Sequence, residues 1–362
     1  SLLFSDNGSL TSYSGDEGNH QNWRSNQYYV STGLDFKQKK WSGTIQLPVI
    51  WQQVSDIQKY YGLNNSVSRV RFNPKGSVRH QFDLEKQASL NYSYTTIFGD
   101  FTDTYIGSVL KNYRNLSSSQ GVLPFNKIHT TSLNYGSQKS ISLFFFNADL
   151  SYTRVNANTL MTSAITDSIE QTVLIKEDNT QERWSANAGV SQFIFPVKLN
   201  MSVKVGYQFS SSNVILNNEL TTINNRILSG SLQLTKRFST IFSLEYNGRY
   251  TAVKALSAMQ PRKVQNLNHT LKTSFIPNKR LLVDWVIRNA IQKNNFLTQG
   301  YFFSDAKIRY TFSKKKFDLN IEGYNLFNVK TYTYFNADSY RLISNQYQLR
   351  GRMIMAKVDI YF

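Results

Sequence analysis

The sequence contains no cysteine, which excludes disulfide scaffolds, thiolate metal sites and thiol nucleophiles together. It has no apolar run of about 18 residues, so it predicts no transmembrane helix. Acidic residues are scarce, because 23 Asp and Glu stand against 41 Lys and Arg, for a formal net charge of +18. These absences leave a basic chain whose class has to be inferred from the pattern of its residues.

The excess of basic residues raises the question of a nucleic-acid partner. The cations do not gather on one recognition face, however. Some lie in short runs, at 37–40 and 314–316, and others alternate singly with apolar residues. No nucleic-acid-binding motif accompanies them, so we predict no nucleic-acid partner.

Alternation of apolar and polar residues dominates the chain from about residue 24 onward. Residues 197–209, 280–292 and 302–312 each alternate for ten residues or more, which exceeds the usual strand of about 5–6 residues. A helix would scatter these apolar residues around its whole surface. The pattern predicts an all-β protein with about 15–18 strands, forming one domain over residues 1–362.

The breaks between these segments are asymmetric, as in outer-membrane barrels with short turns on one side and long loops on the other. Short breaks are predicted near 38–40, 80–83, 136–140, 195–197, 237–240, 277–280 and 313–316. Long polar loops are predicted near 99–125, 155–182, 211–226, 251–265, 292–299 and 329–346.

Aromatic residues are abundant, at 14% of the chain, and they concentrate near the ends of the alternating segments. Examples are residues 28–29, 144–146 and 301–303. Aromatic rings favour the headgroup level of a membrane, and a spanning β-strand needs only about 10 residues, of which half can be polar. We therefore expect two aromatic girdles.

A soluble β-sandwich also alternates, but its apolar face enters a core and its strands are short. Here charged residues stand at midstrand, as Glu245 and Arg249 do between Leu244, Tyr246 and Tyr250. Inside a large barrel that face lines water, while the apolar face meets lipid. Hydrocarbon offers no partner for backbone amides, so the sheet has to close. The sequence thus favours a transmembrane antiparallel β-barrel.

The last residues keep this alternation to the end of the sequence. One face carries Ile354, Ala356, Val358, Ile360 and Phe362, and the other carries Met355, Lys357, Asp359 and Tyr361. We predict that residues 349–362 contain the closing strand. Its C-terminal signal would be Val358, Ile360, Tyr361 and Phe362, with the ring of Phe362 facing lipid.

Three stretches carry a family resemblance: LNIEGYNLFNVKTY at 319–332, AKVDIYF at 356–362 and YIGSVLKNYRNLSSSQGVLP at 105–124. The motif NLFN, which is Asn325, Leu326, Phe327 and Asn328, falls in the predicted penultimate strand. With these residues the chain resembles the barrel of TonB-dependent outer-membrane receptors and transporters of the Bacteroidetes type.

This resemblance implies a 22-stranded barrel, an N-terminal plug that fills it and an energising contact with TonB across the periplasm. The sequence shows no recognisable plug, TonB box or signal peptide, and its strands are fewer. We expect it to be the C-terminal barrel portion of a longer protein. The implied partners are outer-membrane lipids, TonB through segments missing from this chain, a surface lipoprotein, and a transported small molecule or oligomer.

No pattern for catalysis, metal or cofactor binding is found. The histidines at 20, 80, 129 and 269 lie in separate segments, without HExxH spacing. GxSxG, P-loop, Rossmann and EF-hand patterns are also missing. We predict no enzyme, no metal site and no cofactor, and an interfacial or buried position for His269.

Three functions remain open at this point. The first is active import of a bulky nutrient, an iron chelate, glycan or peptide, bound by the long loops. The second is a passive porin of about 16 strands, whose lumenal Lys and Arg would favour anions. The third is a non-transporting barrel that acts as a structural partner in an outer-membrane complex.

Overall fold

The computed structural model describes residues 3–6, 9–12, 21–112, 114–166, 169–256, 261–312, 317–337 and 342–360. These residues form mainly β-strands, as the long alternating segments predict. The strands are β1 (Leu3–Asp6), β2 (Ser9–Ser12), β3 (Gln21–Gln38), β4 (Trp41–Gln58), β5 (Leu63–Phe72), β6 (Lys75–Gln81), β7 (Lys86–Phe98), β8 (Val109–Asn112), β9 (Asn115–Ser119), β10 (Phe125–Lys139), β11 (Phe144–Ala157), β12 (Leu160–Ile165), β13 (Glu170–Ile175), β14 (Asn179–Ile194), β15 (Leu199–Leu216), β16 (Glu219–Arg237), β17 (Phe242–Leu256), β18 (Arg262–Asn278), β19 (Leu281–Lys293), β20 (Thr298–Thr311), β21 (Phe317–Tyr324), β22 (Thr331–Ala337), β23 (Leu342–Gln348) and β24 (Met353–Ile360).

Helical structure among the described residues is limited to single turns. These are the α-helical turn α1 (Phe101–Thr104) and two 3₁₀ turns, Lys59–Tyr61 and Phe195–Val197. No helix in the described part of the chain is long and apolar enough to cross a membrane.

The main sheet is one continuous antiparallel wall. Pairings run in the order β3, β4, β5 with β6, β7, β10, β11, β14, β15, β16, β17, β18, β19, β20, β21 and β24. Strands β5 and β6 both pair with β4 and continue each other across Asn73 and Pro74. The described wall therefore has fifteen strand positions, within the predicted 15–18.

The register places apolar residues beside apolar ones and polar residues beside polar ones. Val203 lies opposite Val190 and Leu232, whereas the next residue, Lys204, lies opposite Gly189 and Ser231. Each strand thus contributes to an apolar outer face and a polar inner face.

Large apolar side chains stay uncovered on the outer face: the exposed fraction is 53% for Val205, 55% for Phe302 and 62% for Ile360. Soluble proteins rarely expose so extensive an apolar surface, whereas a membrane barrel turns it to lipid. The fold is therefore a transmembrane antiparallel β-barrel, as the sequence predicted.

Aromatic rings form two bands on the outer face. On β4, Trp41 and Trp51 are ten residues apart, which is about 34 Å along the strand and about 26 Å of membrane thickness at a tilt of about 40°. Such barrels carry an apolar band of about 25 Å. The ring contacts across strands are Trp41–His80, His80–Phe82, Phe82–Tyr135 and Tyr135–Phe146 in one band, and Tyr28–Trp51 and Tyr152–Trp184 in the other.

The two ends of the wall differ, as the sequence predicted. At one end, here called the turn end, short connections such as Lys39–Lys40 and Lys279–Arg280 join the strands. The opposite end, here called the loop end, carries the long segments 99–124, 158–178 and 325–352.

Two predicted loops are wrong. In the loop predicted near 251–265, residues 251–256 belong to β17 and residues 262–265 belong to β18. Residues 211–226 form the ends of β15 and β16, which pair up to Leu216 and Glu219. Asn217 and Asn218 connect them with positive φ angles of 47° and 70°, the conformation of a two-residue hairpin turn. The Ser- and Asn-rich composition suggested a loop, but two asparagines that accept this backbone allow the hairpin to continue.

Candidate functional site: the loop shelf over the lumen

Three segments at the loop end fold, in their described residues, against the inner face of the wall. We call them the first insert (99–124, with α1, β8 and β9), the second insert (158–178, with β12 and β13) and the third insert (325–352, with β22 and β23). Together they form a shelf over the lumen, here called the loop shelf. The buried residues of the protein are concentrated beneath this shelf, because the wall itself has no core.

The first insert is fixed to β4 through a buried amide. Gln58 has 0% exposure; its Nε2 donates to Asp56 Oδ2 and to the Thr104 carbonyl oxygen, both at 2.9 Å. Gln58 Oε1 accepts from the Ile106 N–H at 3.0 Å. Asp56 Oδ1 accepts from Gln21 Nε2 at 2.8 Å. The fully satisfied network holds the insert in one position.

The α1 turn in the first insert has a capping box. Asp100 Oδ1 accepts from the Thr102 N–H at 2.8 Å, and Asp103 Oδ2 accepts from the Asp100 N–H at 3.1 Å. The hydrogen bond from the Thr102 side chain, followed by the backbone bonds, lowers the pKa of Asp100. Burial raises the pKa of Asp103. Asp103 borders a cavity of about 300 Å³ that Asn179, Gln181 and other residues of the loop end also line.

Glu170 joins the first two inserts. Its Oε1 accepts from Ser163 Oγ at 3.0 Å, and its Oε2 accepts from Asn115 Nδ2 at 3.1 Å. Its backbone N–H donates to the Arg114 carbonyl oxygen at 2.7 Å. Strand β13 also runs parallel to β9, so the two inserts form one small sheet.

A small apolar core anchors this sheet to the wall. Val214, Leu216 and Ile223 are buried together on the inner face of β15 and β16. Strand β12 lies parallel to β15 at the same place, with Ser163 opposite Leu216. At this place apolar residues replace polar ones on the inner face, where the second insert covers it.

The NLFN motif forms the base of the third insert. The Asn328 N–H donates to the Asn325 carbonyl oxygen at 2.8 Å, and both asparagines have positive φ angles, 48° and 57°. Asn325 Nδ2 donates to the carbonyl oxygens of Val329 at 2.8 Å and Arg350 at 2.9 Å. The Arg352 N–H donates to Asn328 Oδ1 at 3.0 Å. The motif therefore ties together the two ends of the insert.

The position of this motif corrects the sequence prediction, which put NLFN inside the penultimate strand. The strand β21 ends at Tyr324, and the motif turns the chain immediately after it. The left-handed conformation at Asn325 and Asn328 cannot continue a strand, and asparagine tolerates it better than most residues.

The third insert docks on β19 and β20. Gln292, at 1% exposure, donates from Nε2 to Tyr332 Oη at 2.7 Å and accepts from the Phe335 N–H at 2.9 Å. Tyr301 Oη accepts from the Thr333 N–H at 2.9 Å, and its ring centroid lies 5.0 Å from that of Tyr332. Burial raises the pKa of Tyr332.

These contacts correct a further prediction, because the sequence assigned residues 301–303 to a lipid-facing girdle. Tyr301 and Phe303 share the inner face and contact Tyr332 of the third insert. Phe302, between them, faces outward and is exposed. Alternation places neighbouring aromatics on opposite faces, and only one of the three belongs to the girdle.

Below the shelf, hydroxyl and amide side chains line the lumen. One concavity of about 340 Å³ is lined by Asn147, Asn187, Ser229 and Thr251, and by two cations, Lys204 and Arg249. Ser231 lies opposite both cations in the register, so they flank it across three strands. Among the described residues, neither cation forms an ion pair with an acid. This part of the lumen is therefore hydroxyl-rich and positively charged.

The wall from β19 to β24 differs, because three of its inner cations are paired with acids. The ion pairs are Arg288–Asp305, Lys307–Glu322 and Lys357–Asp359, each at 2.6 Å. Asp305 also accepts from the Asn325 N–H at 2.8 Å, which links these ion pairs to the NLFN turn.

The remaining predicted residues that the structure describes lie outside the lumen. Val358 and Ile360 occupy β24 and are exposed, while Tyr361 and Phe362 lie outside the described residues. His269 lies on the outer face near the middle of β18, and its Nδ1 is 2.6 Å from Tyr246 Oη. The described residues contain no group of three or more potential metal ligands, and His20 is not among them.

The sequence did not single out Gln58, Glu170 or Gln292. Each is one polar residue among many, and most of its hydrogen-bond partners lie 35 or more residues away in the sequence. The exceptions are Ser163, which bonds Glu170, and Asp56, which bonds Gln58. The only available signal was that Gln58 and Gln292 occupy inward-facing positions of the strand alternation, at the loop end of a long strand. That signal does not reveal a partner.

No protein-family model and no curated protein matches the sequence. The fold is similar to that of the ferric-catecholate import receptor Fiu from E. coli K12, with 10% identity, 94% of this chain and 81% of that chain covered, and a TM-score of 0.40. It is also similar to the siderophore receptor PirA from Acinetobacter baumannii, with 8% identity, 94% and 60% covered, and a TM-score of 0.42. The copper transporter OprC is similar too, with 8% identity, 94% of this chain and 74% of that chain covered, and a TM-score of 0.34. The strand registers, and not these distant similarities, establish the fold.

Proposed function

We propose that this chain forms the barrel of a bacterial outer-membrane active importer for a bulky nutrient. The observation that carries the proposal is the loop shelf, in which three inserts fold inward over a polar lumen. Loops held on a rigid scaffold are common binding elements. The cargo would be an iron chelate, glycan or peptide that first meets the shelf and then the lumen beneath it.

The lumenal chemistry narrows the cargo to a polar solute. Hydroxyl and amide side chains suit a polyhydroxylated or peptide-like molecule, and Lys204 with Arg249 favours one that carries negative charge. Passage past a docked shelf requires energy, which in this proposal comes from TonB. The contact with TonB uses segments outside this sequence, as the resemblance to TonB-dependent receptors of the Bacteroidetes type implies, and a surface lipoprotein would cover the loops.

The test uses deletion of the gene in the producing organism. We expect loss of growth on one cargo class when iron chelates, glycans and peptides are supplied in turn, and recovery of TonB with the full-length protein. Normal uptake of all three classes, together with no TonB association, would refute the proposal.

A second candidate is passive diffusion, favoured by the two lumenal cations. A porin of this kind would be anion-selective. Planar-bilayer recording separates the two functions, because a porin gives a steady open conductance and an importer with a closed lumen is silent. A structural role without transport would instead leave both uptake and conductance absent and give stoichiometric protein neighbours on native purification.

A further inference from the structure

A row of cations lies on the outer face of the wall at the loop end. Arg226 of β16 is directly opposite Lys254 of β17, and Lys254 is directly opposite Lys263 of β18. Lys293 of β19 pairs with Gln265, two residues along from Lys263. We call these four cations the outer basic row.

The burial pattern confirms that this row points away from the lumen. All four side chains are exposed. The residue directly after Lys254, Lys263 and Lys293 faces the opposite side in each case and is buried. These residues are Ala255, Val264 and Asn294. The row therefore belongs to the surface that meets lipid.

The arrangement is unfavourable without an external anion. Like charges directly opposite each other in a sheet are destabilising. The sequence from 246 to 283 contains no Asp or Glu, and no cation of the row forms an ion pair among the described residues. On the inner face, by contrast, Arg288 is paired with Asp305 at 2.6 Å. The counter-charge of the outer basic row therefore has to come from outside the protein.

The depth of the row identifies the source of that charge. The Arg226 guanidinium lies 6.0 Å from the centroid of the Phe209 ring. Phe209 is directly opposite Trp184, whose ring lies 4.3 Å from Tyr152 in the loop-end aromatic band. The row is thus at the level where aromatic bands meet lipid headgroups, and basic residues at this level attract anionic lipids.

We propose that the outer basic row, with Arg226, Lys254 and Lys263 at its centre, binds the phosphorylated headgroup of an anionic lipid in the leaflet at the loop end. Strands are about 4.8 Å apart, so the cations cover about 10 Å from β16 to β18 and about 14 Å to β19. That width fits a headgroup with more than one phosphate. The inference rests on the membrane location in the proposed function, but it does not depend on the cargo or on transport.

The test measures lipid binding by the purified full chain in neutral detergent. The probes are diphosphoryl lipid A, its monophosphoryl form and phosphatidylcholine, titrated by native mass spectrometry. We expect binding in that order of strength. Each basic residue near an anionic surface contributes about 1 kcal/mol, which is about fivefold in affinity. The double variant Lys254→Gln/Lys263→Gln should therefore bind diphosphoryl lipid A about 30-fold more weakly.

The matched control is Lys236→Gln/Lys279→Gln, which removes the same charge at the turn end and should change affinity less than twofold. Lys254→Arg/Lys263→Arg should keep binding and shows that the site tolerates substitution. A heat-modifiable band on gels checks that each variant is folded. Wild-type affinity in the Gln double variant would overturn the proposal, as would an equal loss in the turn-end control. Full competition by inorganic phosphate would also overturn it, since the source would then be a free anion.

Discussion

Gln292 supplies two of the hydrogen bonds that dock the third insert on the wall, so Gln292→Ala should weaken this docking. The substitution removes the bond to Tyr332 Oη at 2.7 Å and leaves the Phe335 N–H without its acceptor at 2.9 Å. Phe335 is buried, and a buried donor left unsatisfied costs about 1–3 kcal/mol, while a typical hydrogen bond contributes about 1 kcal/mol. Together the insert loses about 3 kcal/mol of docking free energy.

Amide hydrogen exchange of the full chain in detergent measures this loss locally. About 3 kcal/mol corresponds to a rise of about a hundredfold in exchange of residues 331–337, because 1.4 kcal/mol is a factor of ten. Exchange in β15 and β16 should stay unchanged. The matched control is Gln233→Ala, on the inner face of β16 away from the insert. Unchanged exchange at 331–337 in the Gln292 variant would show that the amide does not hold the insert.

Three further predictions concern the turn, the helix cap and the lumen. Asn325→Ala loses three side-chain hydrogen bonds, two to carbonyl oxygens and one from the Val329 N–H, and places alanine at a φ of 48°. We expect the free energy of unfolding to fall by about 3 kcal/mol, measured by thermal unfolding. Asn325→Gly relieves only the backbone strain and should recover part of this loss, so equal stabilities of the two variants would contradict the prediction. Asp100→Ala should lower the stability of the first insert by about 1 kcal/mol at pH 7, which limited proteolysis would detect as faster cleavage. The folded-state pKa of Asp100 is lowered, so its contribution is present above the unfolded pKa and is lost as pH falls through the folded value; an equal effect at pH 7 and under strongly acidic conditions would refute it. Lys204→Gln/Arg249→Gln should weaken uptake of anionic cargo more than of neutral cargo, and an equal loss for both would refute the assigned charge preference.

Much of the wall was predictable because its signal is local. A period of two assigns each side chain to a face without knowledge of any partner, as for Val203 and Lys204. The strand number, the asymmetric ends and the aromatic bands followed from the same pattern. The prediction failed at the hairpin around Asn217, where it relied on composition and not on periodicity. It also failed for the NLFN motif, which was assigned to a strand although its asparagines adopt a turn.

The candidate site was much less predictable. Gln58 and Gln292 have the right parity to face inward, but their partners are distant in sequence and lie on polar loops without periodicity. The direction in which a loop folds depends on what it can bury and bond against the wall. No local pattern encodes that choice.

By itself, the sequence determined the faces of the strands, because alternation acts on each residue independently of the rest of the chain. Only the tertiary structure decided which inward residues are covered by an insert, and which outward cations stand side by side. Arg226, Lys254 and Lys263 are far apart in sequence or separated by a connection, and the register of three strands brings them into one row. Register is a pairing between strands, so it is settled only when the whole sheet forms.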